Sequence, residues 1–235
     1  MTEPLEIVYQ DDQLLAINKP HGLLVHRSPI AKDAEVFALQ LLRDQVGQHV
    51  FPLHRLDRKT GGLLLFAKDE ESSRAVQKLF ATGSVEKTYL AIVRGFTEEE
   101  GLIDYPLKKE NGKVQEAVTA YRTLGRAELA VPVGKHDTSR YSLLEVKPRT
   151  GRMHQIRRHL AHIFHPIIAD RPHGCNKQNA LFKNRWQMDT MLLHASSLGL
   201  VHPVNQKKIH LKADIQKEFR RMINMMQWQG ILNEE

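Results

Sequence analysis

The sequence predicts an α+β fold with a mixed, largely antiparallel central sheet flanked by helices. Two observations carry that expectation. Strand-like and helix-like segments are interspersed without the regular strand–helix alternation of a wound parallel sheet. The run Leu63-Leu64-Leu65-Phe66-Ala67 is apolar at every position, as in a strand buried on both faces. The glycines before it, Gly61 and Gly62, read as a tight turn entering that strand.

The elements follow in order. "LEIVYQDDQLLAIN" reads as two short strands around an Asp-Asp turn. "DAEVFALQLLRDQVG" reads as a helix with Asp33 as N-cap, one stripe of Val36, Leu39, Leu42 and Val46, and Gly47 as its stop. After the buried strand comes a helix from about Glu70 to Thr82. Asp69 caps it, Glu70 and Glu71 suit its N-terminal dipole, and Gly83 ends it. "KTYLAIVRG" is a further strand, and Val118 to Val146 reads as more strands, antiparallel. Met153, Ile156, Leu160 and Ile163 mark a helix that ends before Pro166. "SSLGLVHPVNQKKIHLKA" reads as a hairpin. Asp214 is placed to cap a last helix with Ile215, Phe219, Met222, Ile223 and Met226 on its apolar face. No internal repeat, low-complexity tract or linker is visible, and residues 1–235 read as a single domain.

Composition narrows the function classes. The chain has 235 residues, ample for a sizeable core. No segment approaches the ~18 apolar residues of a membrane span, so no membrane partner is expected. The acidic N-terminus lacks the pattern of a signal peptide. Cys175 is the only cysteine, so no internal disulfide forms, and a reducing cytoplasm is the expected location. The net charge of +7 is concentrated: Arg140 to Arg185 holds ten Lys and Arg against Glu145 and Asp170, and the rest of the chain sums to −1. A localised basic face favours a polyanion, with nucleic acid first.

Two stretches have the makings of a site. "HRLDRKTGGLLLFAKD" sets Asp57 among His54, Arg55, Arg58 and Lys59, on a loop anchored by a buried strand. An Asp at such a place can equally cap a turn or pair with a surface Arg. "KPRTGRMHQIRRHLAHIFHP" places Arg152 in the first turn of its helix, where a cation opposes the macrodipole at a cost of roughly 0.3–1 kcal/mol. An anion at the helix start, a phosphate or Asp57 itself, would give that position a reason. The equally weighted alternative is an exposed Arg bent into water. His159, His162 and His165 lack a Cys or Glu to complete a metal set, so no metal is expected. Phosphate-loop, dinucleotide and serine-hydrolase motifs are absent from the chain.

Four blocks together carry a family resemblance. "HRLDRKTGGLLLFAKD", "EKTYLAIVRG", "TGRMHQIRRHLAHIFHPIIAD" and "MLLHASSLGLVHP" resemble, in order, the motifs of the RluA-type pseudouridine synthases. Gly61 departs from the Ser usual in that family. "GLLVHRS", "RDQVGQHVFPLHRLD" and "DYPL" resemble the subfamily that modifies tRNA at position 65. The resemblance implies a catalytic domain without a separate N-terminal RNA-binding domain, and an isomerase that converts uridine to pseudouridine. It implies no cofactor, tRNA as partner and no obligatory protein partner. It assigns Asp57 as the essential carboxylate, Arg152 as its paired cation and Tyr89 as the ring stacked on the target base. Leu193 becomes part of the apolar wall, and Arg55 the residue that fills the gap left by the extruded base. His54, Arg157 and Arg158 are expected at the RNA. The rivals are a ribosomal-RNA enzyme of the same family, a non-catalytic RNA-binding protein, and a metal-dependent nuclease built on the His-rich helix.

Overall fold

The structure, a computed structural model, describes residues 3–27 and 35–231. Its elements in chain order are β1 (Ile7–Gln10), β2 (Leu14–Lys19), α1 (Ala38–Val46), β3 (Phe51–Pro52), β4 (Gly61–Ala67), α2 (Glu70–Ala81), β5 (Glu86–Arg94) and β6 (Glu100–Asp104). There follow β7 (Leu107–Lys108), β8 (Val114–Gln115), β9 (Val118–Leu129), β10 (Ser139–Pro148), α3 (Gln155–His162), α4 (Asn176–Trp186), β11 (Leu193–Val201), β12 (Lys208–Lys212) and α5 (Lys217–Met225). The chain forms two compact units: residues Met1–Lys87 with His194–Ile215, and Thr88–Leu193 with Gln216–Glu235.

The first unit is organised by β4. All seven of its residues are buried, as a strand covered on both faces requires. β2 lies antiparallel beside it, pairing Lys19 with Gly62 and Leu14 with Ala67. β11 lies parallel on the other side, pairing His194 with Gly61. β1 and β12 extend this sheet at its two sides, antiparallel to β2 and β11. Leu63, Leu65 and Ala67 point from one face of β4 into a core shared with Val76 of α2 and Leu198 and Leu200 of β11. Asp69 caps α2 as its sequence predicts: its Oδ1 accepts the Ser72 N–H at 2.8 Å.

The second unit is an antiparallel sheet in the order β5-β10-β9-β6. Ala91 and Val93 of β5 and Leu144 and Val146 of β10 pack with Ile156 and Leu160 of α3. Among the described pairings only β4 and β11 form a parallel ladder of named strands, so the sheet architecture is mixed and largely antiparallel.

Several boundaries differ from the sequence expectation. α1 starts at Ala38 with Phe37 as N-cap, and buries Ala38 and Leu42 while Val36 is exposed. The expected cap Asp33 lies outside the described residues. α5 starts after Gln216, so Asp214 is not its cap. Instead the Asp214 carbonyl accepts the Asn18 side-chain N–H at 2.9 Å. α3 begins at Gln155, so Met153 is no part of its apolar stripe and stands exposed. α4 has no counterpart in the sequence reading, because it buries little beyond Gln178 and Phe182 and shows no continuous apolar stripe.

Candidate active site

In the first unit the loop before β4 carries His54, Arg55 and Asp57. Leu56 between them is buried and fastens the loop to the core, while Arg55 is exposed and Asp57 half-buried. A turn closes behind the carboxylate, with the Thr60 N–H donating to the Asp57 carbonyl at 3.0 Å. The next residue ties the loop sideways: the Arg58 carbonyl accepts the Gly22 N–H at 2.8 Å, and Arg58 Nε donates to the Gly22 carbonyl at 3.1 Å.

Beneath the loop lies a lysine that sequence reading did not single out. Lys19 is fully buried at the end of β2. Its Nζ donates to the carbonyls of Leu23 at 2.7 Å, Pro20 at 3.0 Å and Arg58 at 3.3 Å. Burial pulls its pKa down to about 7, and the negative charge of Asp57 acts in the opposite direction. The amine thus holds the Asp57 loop through backbone oxygens and senses its carboxylate electrostatically. The sequence signal was a lysine closing a strand, "LLAINK", whose first four residues are apolar.

His54 does not present itself as an RNA-facing cation. Its Nε2 accepts the Leu65 N–H at 3.0 Å and its ring stacks on Phe80, with 5.3 Å between centroids. Burial, with the nearby Lys87 charge, pushes its pKa down to about 4. The ring is a neutral clamp between loop and strand, which corrects the expectation of a substrate contact.

In the second unit Tyr89 sits on β5 opposite Val146 of β10 and is half-buried. It packs against the cluster that includes Leu193, itself 4 % exposed. The structure thus brings Tyr89 and Leu193 to one apolar patch. Arg152 lies outside α3, in the turn before its N-cap His154, which corrects its expected place in the first helical turn. Its main chain is held by Gln155, a buried side chain at the start of the helix. Gln155 Oε1 accepts the Arg152 N–H at 3.0 Å and the Thr150 hydroxyl at 2.6 Å. Its Nε2 donates to the Val118 carbonyl and the Thr119 hydroxyl, each at 3.0 Å. Arg152 Nε donates to the Glu116 carbonyl at 2.9 Å. The arginine is therefore tied to β9 through Gln155 on its main chain, and to the Glu116 carbonyl just before β9 on its side chain.

The basic segment divides on folding. Arg140, Lys147, Arg149, Arg171, Lys177 and Lys183 are exposed. Arg158 is half-buried and donates to the Lys108 carbonyl at 3.1 Å. Arg157 belongs to neither group. It is buried, with Nε 2.8 Å from Asp170 Oδ2 and an Nη 2.7 Å from Oδ1. A guanidinium locked in that fork does not reach a phosphate in solvent, so its assignment to RNA binding is corrected to an internal ion pair. The histidines are also dispersed. Both ring nitrogens of His159 are engaged, with Thr119 and the Tyr105 carbonyl, and His162 stacks on Tyr105. Among the described residues no group of three or more His, Cys, Asp or Glu stands in metal-ligating reach, and no helix is long and apolar enough to cross a membrane.

Residues 13–162 match the family model described as RNA pseudouridylate synthase, and the chain belongs to that family. It is an RNA pseudouridine synthase, an isomerase. The chain is 49% identical over 235 residues to tRNA pseudouridine synthase C of Vibrio parahaemolyticus, covering 95% of this chain and 96% of that one. It is 45% identical to the protein of the same name from Haemophilus ducreyi, again over 95% of this chain and 96% of the other. Among solved structures it is similar to human RNA Pseudouridylate Synthase Domain Containing 4, with a TM-score of 0.73 and 26% identity, covering 94% and 93% of the two chains.

Proposed function

We propose that this enzyme isomerises a uridine of tRNA, at position 65, and that residues 1–235 act as one catalytic domain working in the cytoplasm. The observation that supports tRNA most directly is the near full-length identity to relatives named as tRNA enzymes. The segments "GLLVHRS", "RDQVGQHVFPLHRLD" and "DYPL" support the position.

The reaction breaks the C1′–N1 bond of uridine, turns the uracil and rejoins it through C5, with a proton lost from C5 and one gained at N1. Atoms and electrons balance without an added oxidant or energy source. Asp57 supplies the one ionised carboxylate the rearrangement requires, by attack or by proton abstraction. The family resemblance assigns Arg152 as the cation that serves this carboxylate. Tyr89 stacks on the base and Leu193 walls it. Arg55, exposed beside Asp57, fills the space the flipped base leaves. The exposed cations of the Arg140–Arg185 segment, with Arg158, carry the phosphate contacts.

Asp57→Asn tests the assignment. The change keeps shape and removes the charge, so single-turnover pseudouridine formation on an unmodified tRNA transcript falls below detection while binding persists. A folded Asp57→Asn enzyme that works near the wild-type rate would falsify the role of this carboxylate. Mapping pseudouridine in total RNA from cells with and without the protein tests the substrate. Loss of a signal in ribosomal RNA, with tRNA unchanged, overturns the tRNA reading.

A further inference from the structure

The turn that carries Arg152 contains a conformational oddity. The Gln155 N–H donates to the Arg152 carbonyl at 3.1 Å, so residues 152–155 close a tight turn. His154 occupies the third position of that turn with φ 54° and ψ 27°, in the left-handed region. Glycine or asparagine would hold this position with less strain. A histidine there costs on the order of 1 kcal/mol and persists only where its surroundings over-determine it. The His154 side chain makes no capping bond to its own helix. Its Nδ1 instead lies 3.0 Å from His173 Nε2, with the rings edge to face. One ring donates its N–H and the other accepts. His173 is held in turn, since its backbone N–H donates to Asp170 Oδ1 at 3.3 Å, and Asp170 is the buried carboxylate gripped by Arg157.

We infer that His173 is a positioning residue for this enzyme: through its hydrogen bond to His154 it holds the left-handed turn that aims Arg152. The buried Arg157–Asp170 pair is the base of the same bracket. The chain Arg157–Asp170–His173–His154 fixes the turn from outside, while Gln155 fixes it from within. This inference rests on the proposed role of Arg152, and its test separates the two.

The test is a variant cycle on an unmodified tRNA transcript. His173→Leu removes the ring nitrogen and is expected to slow the single-turnover rate at saturating RNA by roughly tenfold or more, because small misplacements of a catalytic group are expensive. RNA affinity stays within about twofold, since phosphate contacts position the RNA elsewhere. His173→Gln keeps a hydrogen-bonding group and restores most of the rate. In an Arg152→Lys background, which retains a cation but not the aimed fork, His173→Leu adds less than about a twofold further loss. Should His173→Leu fail to fold, His154→Phe cuts the same hydrogen bond from the other side and carries the same expectations. Full additivity with Arg152→Lys, or a rate per folded molecule equal to wild type, overturns the inference. A wild-type rate for Arg152→Lys alone would instead remove the proposed role of Arg152.

Discussion

Removing Arg157 distinguishes an internal strut from an RNA contact. In Arg157→Met the carboxylate of Asp170, 1 % exposed, loses two hydrogen bonds of 2.7–2.8 Å and stays buried without its cation, keeping the longer bond from the His173 N–H. Leaving one member of a buried pair unpartnered costs about 3–5 kcal/mol. For a chain of this size each kcal/mol moves the melting temperature by about 2–4 °C, so Tm is expected to fall by roughly 6–20 °C. RNA binding gives the complementary reading. A cation that touches phosphate contributes about one to the slope of log affinity against log salt. Arg157→Met should leave that slope unchanged in the folded protein, whereas Arg158→Met should lower it. Replacing both partners, Arg157→Met with Asp170→Leu, should recover much of the stability because no charge is then stranded. The measurements are thermal unfolding and a salt titration of tRNA binding. An Arg157→Met protein that melts like wild type and loses about one unit of salt slope refutes the internal-strut account.

Lys19 makes stability depend on pH in a direction opposite to most lysines. Its folded pKa is about 7 against an ordinary 10.5. Between those values the unfolded chain binds the extra proton, so stability rises with pH across the window. At about 1.4 kcal/mol per pH unit the full effect is on the order of 5 kcal/mol. Urea unfolding at several pH values should show wild type gaining on Lys19→Met from pH 7 upward, and parallel curves would contradict the burial argument. Because the Asp57 charge holds the lysine pKa up, Asp57→Asn should move the Lys19 titration lower, as followed by NMR at its side-chain Cε; an unchanged midpoint would separate the two groups. Gly62→Ala should be severely destabilising. A Cβ there meets the Ala195 carbonyl oxygen at 2.2 Å, and the residue has φ 106°. Prying β4 from β11 is expected to cost about 3 kcal/mol or more, and a soluble variant melting at the wild-type temperature would show that the strands yield.

What the sequence by itself determined was whatever depends on local pattern. The seven-residue apolar run made β4 legible, since a strand covered on both faces needs no polar residue. Asp69 with Glu70 and Glu71 marked the start of α2, because orphan N–H groups and the helix dipole select those side chains locally. The four motif blocks pointed to the family and to Asp57, Tyr89 and Arg152 as the residues to watch. Only the tertiary structure decided which charges face water. Arg157 and Arg158 are adjacent in sequence and chemically identical, yet successive helix positions differ by ~100° in direction. That rotation turns Arg157 toward the buried Asp170 and Arg158 toward the Lys108 carbonyl. Lys19 and Gln155 escaped notice for a related reason. Most of their partners are backbone carbonyls and an N–H, groups that almost every residue supplies, and the two threonine hydroxyls on Gln155 lie in separate stretches of chain, so no local pattern marks them. His154 was unreadable in the same way, because a left-handed backbone at a non-glycine residue is sustained by a neighbour nineteen positions away. Local pattern selects the elements, while long-range contacts choose which polar side chains become struts and which remain free to meet RNA.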